Sequence, residues 1–107
     1  EDTSDDGIAE WREGMKRLAD CPNVVTKLSA FGTFIHRNAP EFIEEMIVTT
    51  ERLFGAGRCM FGSNFPIEKL WTSYSELFDA FTKGASSLSK KKQAAIFGGT
   101  AKQIYRL

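Results

Sequence analysis

Between Arg58 and Pro66 the chain reads Arg-Cys-Met-Phe-Gly-Ser-Asn-Phe-Pro, and this stretch narrows the possible folds more than any other. Cys59 to Phe61 is a short apolar run. It is entered from Gly55-Ala56-Gly57 and left through a small, polar Gly62-Ser63-Asn64. Such a run predicts a buried strand of a parallel sheet with a polar residue at its carboxyl end. Pro66 cannot donate to a ladder and biases Phe65 toward an extended backbone, so the chain must turn out there. In α/β folds the carboxyl ends of parallel strands are where ligands bind, which makes Asn64 the first candidate site residue.

The rest of the chain can be read as support for that strand. Ile8, Trp11, Met15 and Leu18 share one helical face, which predicts a helix over about residues 7–20, capped by Asp5 or Asp6 and ended by Pro22. Val24, Val25 and Thr26 make Asn23 to Ala30 a second strand candidate. Pro40 suits a first helical turn and Gly55 a C-terminal cap, so Pro40 to Gly55 is a helix. A third helix opens at Thr72 or Ser73 and ends at Gly84. A fourth runs from Ser89 to Phe97, where Gly98-Gly99 breaks it, and Thr100 caps a last short helix to Leu107. Two strands joined by one helix form a right-handed βαβ unit with parallel strands. Two strands are too few for a covered parallel sheet, so the chain is incomplete as a fold. It opens on Glu1 rather than Met, which fits the same expectation of a piece of a longer protein.

Composition excludes several function classes. The 14 basic and 14 acidic residues cancel, and the one basic run, Lys90-Lys91-Lys92, is short enough to be a solvated helix start. No nucleic-acid or anionic-membrane partner follows from that balance. No apolar run approaches the ~20 residues that span a bilayer. Cys21 and Cys59 are too few for a disulfide scaffold, and both are expected as reduced thiols in a cytoplasmic protein.

Two further regions carry candidate chemistry. Strand alternation puts Val25, Lys27 and Ser29 on one face. Lys27 is then either an edge-strand lysine in solvent, or it points with Ser29 into a polar cavity. The stretch from Phe31 to Ala39 holds His36, the only histidine, beside Arg37. Loops after parallel strands commonly bind ligands, so His36 is either a loop residue or a substrate contact or proton carrier. One histidine with no nearby carboxylate pair cannot supply a metal ligand set.

The sequence Trp11-Arg12-Glu13-Gly14-Met15 with Leu18-Ala19, followed by Pro22-Asn23-Val24 and Lys27-Leu28-Ser29, resembles the C-terminal third of the amidohydrolase-2 family. So do the Arg58 to Pro66 block and the tail Gly99-Thr100-Ala101 with Tyr105-Arg106-Leu107. These are TIM-barrel hydrolases that include lactonases and decarboxylases. The resemblance covers nearly the whole chain, and Gly62-Ser63-Asn64-Phe65-Pro66 is its most specific part. It implies an α/β fold, the C-terminal portion of a (β/α)8 barrel. Asn23–Ala30 would be strand seven and Arg58–Asn64 strand eight, so that residues 1–107 are a C-terminal fragment of one barrel domain of ~250 residues. The family commonly carries an aspartate, acting as general base or metal ligand, where this chain has Asn64. A carboxamide cannot accept a proton at neutral pH and is a poor metal ligand, but it can orient a water or hydrogen-bond a carbonyl.

The resemblance thus implies a parent hydrolase of a small cyclic ester or amide, lactonase-like, with a divalent metal such as zinc as its expected cofactor. Asn64 takes the catalytic place. Lys27, Ser29, His36 and Arg37 are the substrate-binding candidates, and Lys27 or Arg37 would stabilise negative charge on a carbonyl oxygen. The alternative is a barrel that binds a small molecule without turnover, having lost the strand-eight aspartate. By itself the fragment is expected to be inactive, and to associate with a second copy or with the missing strands through its open sheet edges.

Overall fold

The computed structural model describes residues 4–31 and 39–106. Helix α1 spans Asp5–Ala19, and its cap is Ser4, whose Oγ accepts from the Gly7 N–H at 3.1 Å, rather than either aspartate. The apolar stripe is present, yet none of its residues is fully buried; Trp11 and Met15 are half-buried and Leu18 is 49% exposed. Strand β1 is Thr26–Leu28, shorter than the eight residues expected. Helix α2 is Pro40–Phe54, with proline at its start and Gly55 at its end in the left-handed region, φ 79°. Strand β2 is Cys59–Phe61, so the expected Arg58–Asn64 strand also contracts to its apolar core. Both ends are trimmed for one reason: a strand extends only as far as a neighbour supplies hydrogen bonds, and each strand here has one neighbour.

The two strands are parallel, with Thr26 beside Cys59, Lys27 beside Met60 and Leu28 beside Phe61. Residues in register point to the same face. Leu28, Cys59 and Phe61 therefore turn toward α2 and toward helix α3 (Tyr74–Gly84), where they join Ile43, Ile47, Leu77 and Phe81 in the core. Aromatic rings complete that layer. Phe61 lies edge-on to Phe81 at 4.9 Å, and Phe31 stacks on Phe81 at 5.5 Å. Lys27 and Met60 occupy the opposite face.

After α3, Ser89 caps helix α4 (Lys90–Ala94) through its Oγ and the Lys92 N–H, as the sequence predicts. Gly98-Gly99 does not break the helix. The chain passes through one wide turn, Ala95–Gly99, in which the Thr100 N–H reaches back five residues to the Ala95 carbonyl. It then continues as α5, Thr100–Ile104. A widened turn absorbs the extra residue without leaving helical geometry. Thr100 caps nothing with its side chain; its Oγ1 donates to the Ala56 carbonyl at 2.6 Å and ties this helix to the turn before β2. The lysine run is only partly solvated, because Lys92 Nζ lies 2.9 Å from Oε1 of the buried Glu51.

Arg58 closes a short turn, Ala56–Arg58, instead of opening the strand. Its guanidinium donates to the carbonyls of Ala19, Cys21, Val24 and Phe54 at 2.9–3.2 Å, with the Phe54 ring 5.1 Å beneath it. Those carbonyls lie at the ends of α1 and α2 and on the approach to β1. One cation thereby satisfies groups that two helix ends leave unbonded, at the ends where the dipole favours positive charge.

Candidate active site

Beyond β2 the chain turns sharply. Gly62 still belongs to the ladder, its N–H donating to the Leu28 carbonyl at 3.1 Å. Asn64 stands two residues further on with φ 59°, a left-handed conformation that asparagine tolerates better than most side chains. The Phe65–Pro66 peptide that follows is cis. The Ser63 Oγ accepts from the Phe65 N–H at 3.3 Å, and the Asn64 carbonyl accepts from the Glu68 N–H at 3.2 Å, which starts a short helical turn over Ile67–Leu70. The candidate residue therefore sits in the turn past the strand, not on the strand itself.

That turn brings in a group the sequence reading passed over. Glu68 is only 1% exposed. Its Oε1 accepts from Asn64 Nδ2 at 2.9 Å, and its Oε2 accepts from the Trp71 indole N–H. A carboxylate can only accept, so Asn64 must turn its NH2 toward Glu68. The signal was present as an acidic residue four places after Asn64, between Ile67 and the Leu70-Trp71 pair. Only a turn that folds back makes that spacing a contact.

Lys27 is solvent-exposed on β1, and its Nζ lies 5.7 Å from the centre of the Tyr105 ring. It registers with Met60, four residues before Asn64, which puts its backbone on the order of 10 Å below the rim. Ser29 is nearer the rim. A Cβ placed on Gly62 would lie 3.3 Å from Ser29 Oγ and 3.9 Å from Lys27 Cδ, so Lys27, Ser29 and Gly62 share the sheet face opposite the α2–α3 core. His36 and Arg37 lie outside the described residues.

A cavity of about 560 Å³ opens between α1, β1 and α2. Lys27 and Ser29 line it beside Trp11, Met15 and Met46, and Asn64 does not. It follows the edge of β1 that, among the described residues, has no neighbouring strand. Among the described residues no three of His, Cys, Asp and Glu come together as a metal site. Asn64 is a neutral amide, and both oxygens of Glu68 accept from neighbours. The described residues thus do not fit a zinc ion by themselves. Cys59 is no nucleophile: burial first, and then the charge of Glu51, push its thiol up to about 12, which Arg58 only partly offsets.

A profile of the amidohydrolase family matches residues 2–107. An uncharacterised protein of Sinorhizobium fredii is 37% identical over 97 residues, which is 91% of this chain and 33% of that protein. The L-fucono-1,5-lactonase of Burkholderia multivorans is 34% identical over an alignment of 113 residues, covering 99% of this chain and 38% of the lactonase. A crystal structure of an amidohydrolase from Burkholderia multivorans with bound zinc matches with a TM-score of 0.88 at 35% identity, covering 98% of this chain and 39% of that one. A second crystal form of an amidohydrolase from that organism, with bound HEPES, gives the same TM-score. The chain spans about a third to two-fifths of the length of these relatives.

Proposed function

The chain belongs to the amidohydrolase family, and from that premise we propose that it is the carboxy-terminal part of a (β/α)8-barrel hydrolase that opens a small cyclic ester or amide. A sugar lactone is the first substrate class to try, because a lactonase is 34% identical over nearly the whole chain. On this reading β1 and β2 are barrel strands seven and eight, and the turn at Asn64 lies on the catalytic rim. The observation that carries the proposal is the position of Asn64. It is a polar residue in a left-handed turn immediately beyond the carboxyl end of a buried parallel strand, where such folds bind ligands.

The chain's own residues support part of a hydrolysis. Anchored through Nδ2, the Asn64 amide holds its acceptor end in a fixed direction, able to orient a water or a substrate hydroxyl. Ser29, on the same strand pair, is a hydrogen-bonding group near that rim. Arg37 follows β1 in sequence, and on this reading its guanidinium would stabilise charge growing on the carbonyl oxygen. The base that activates water, and the ligands of any metal, belong on this reading to the other strands. No step is assigned to a metal through these residues.

The test uses the full-length protein. Acid release from L-fucono-1,5-lactone and related sugar lactones is followed at constant pH, with and without added zinc. Turnover is expected, and Asn64→Ala should lower kcat/KM on the order of a hundredfold. Saturable lactone binding without turnover would favour the non-catalytic barrel, a reading to which the neutral amide at this position lends some weight. Neither binding nor turnover would overturn both.

A further inference from the structure

We propose that Glu68 is a positioning residue. Its carboxylate fixes which way the Asn64 carboxamide faces in the turn beyond β2. The inference rests on the function proposed above and adds a residue to it. Three observations carry it. Glu68 is almost fully buried, a costly place for a carboxylate unless its oxygens are bonded. Each of its two oxygens accepts from a different donor, Asn64 Nδ2 and the Trp71 indole N–H. The turn that joins them is closed by the Glu68 N–H on the Asn64 carbonyl at 3.2 Å, so backbone and side chain link the same two residues.

The chemistry explains why the residue is an acid. Two donors converge on it, and only a carboxylate offers an acceptor to each. A glutamine has one oxygen and one NH2. If its oxygen serves Trp71, its NH2 faces the NH2 of Asn64, and that amide must rotate away or flip. An isolated asparagine amide can present either end to a ligand, and the two ends differ only in hydrogen-bond sense. Holding Nδ2 on Glu68 fixes that sense. An aspartate in place of Asn64 would set two carboxylates within hydrogen-bond distance of each other, so the asparagine and the glutamate form a matched pair.

The full-length protein tests this by two independent readouts. The side-chain amide protons of Asn64 are followed by NMR on nitrogen-labelled protein, assigned by their loss in Asn64→Ala. In the unaltered protein one of them should lie downfield and exchange slowly; in Glu68→Gln that signature should vanish. Lactone hydrolysis by Glu68→Gln should lose kcat on the order of a hundredfold, as for a reacting group displaced by about an ångström, with KM little changed. Combining Asn64→Asp with Glu68→Gln reverses the hydrogen bond and leaves Trp71 an acceptor, so the double variant should recover the melting temperature that Asn64→Asp alone loses. An amide signal unaffected by Glu68→Gln would overturn the proposal. So would a normal kcat in a variant that has lost the signal. Should no lactone be turned over, the function proposed above fails by itself, and the amide signal still decides whether Glu68 orients Asn64.

Discussion

Arg58 and Cys59 are adjacent, yet their surroundings treat them in opposite ways. Arg58 donates to four backbone carbonyls, while Cys59 is sealed at 0% exposure with its Sγ 3.9 Å from the Thr50 carbonyl. The raised thiol has a consequence for stability. A group that titrates near 9.0 in the open chain and near 12 when folded is bound to its proton more tightly in the native state. Its contribution is therefore complete below pH 9 and is lost as the pH climbs through 9 toward 12. Melting temperatures of the native protein and of Cys59→Ala, measured from pH 8 to 11, should converge as the solution becomes more alkaline. Parallel curves would show that burial does not hold the proton. A short apolar run predicts a buried Cys59 correctly. The roles of Arg58 and Glu68 were not legible, because the partners of Arg58 lie up to 39 residues away and those of Glu68 meet it only through a tight turn.

Helices were the most legible elements, since their signals are local: proline at the start of α2, glycine at its end, and serine caps on α3 and α4 all stand where the sequence puts them. Gly84 shows where a local reading falls short. At the end of α3 it reads as a helix terminator, but a Cβ there would lie 2.8 Å from Ile43 Cγ2 and 3.2 Å from the Glu44 backbone nitrogen. Ile43 is β-branched and 1% exposed, so its methyl has little room to yield. Propensity alone would make Gly84→Ala stabilising by about 0.5–1 kcal/mol. The close approach of α2 and α3 reverses that sign, and the expected result is a loss of about 1–3 kcal/mol. Gly14, inside α1 with nothing within 4 Å of its Cβ position, is the control: Gly14→Ala should stabilise by about 0.5–1 kcal/mol. Urea unfolding of both variants in the full-length protein measures the two signs. The double glycine at residues 98–99 misled for the opposite reason, since a single wide turn lets the helix carry them through.

At the scale of the whole molecule, the sheet is closed toward α2 and α3 and open along the outer edge of β1. The face toward α2 and α3 holds a contiguous core, whereas α1 buries no residue fully and, among the described residues, β1 has a neighbour on one side only. The cavity along that edge is lined by Trp11, Met15 and Met46, and Thr50 beside them keeps a buried hydroxyl with no hydrogen-bond partner among the described residues. An unpaired strand edge next to an apolar hollow is the kind of surface that another strand covers. On the barrel reading, the preceding strand fills it in the full-length protein. Residues 1–107 prepared alone should then either self-associate or lose helical structure on dilution, because the same edge must find a partner or water. Circular dichroism and sedimentation across a hundredfold dilution series distinguish these outcomes from a stable monomer. A stable monomer would mean that the face toward α2 and α3 suffices to hold the fold, and that the open edge is tolerated as a surface in its own right. Adding the remaining barrel strands as a separate chain should restore a soluble, equimolar complex if the edge is the seam along which the barrel closes.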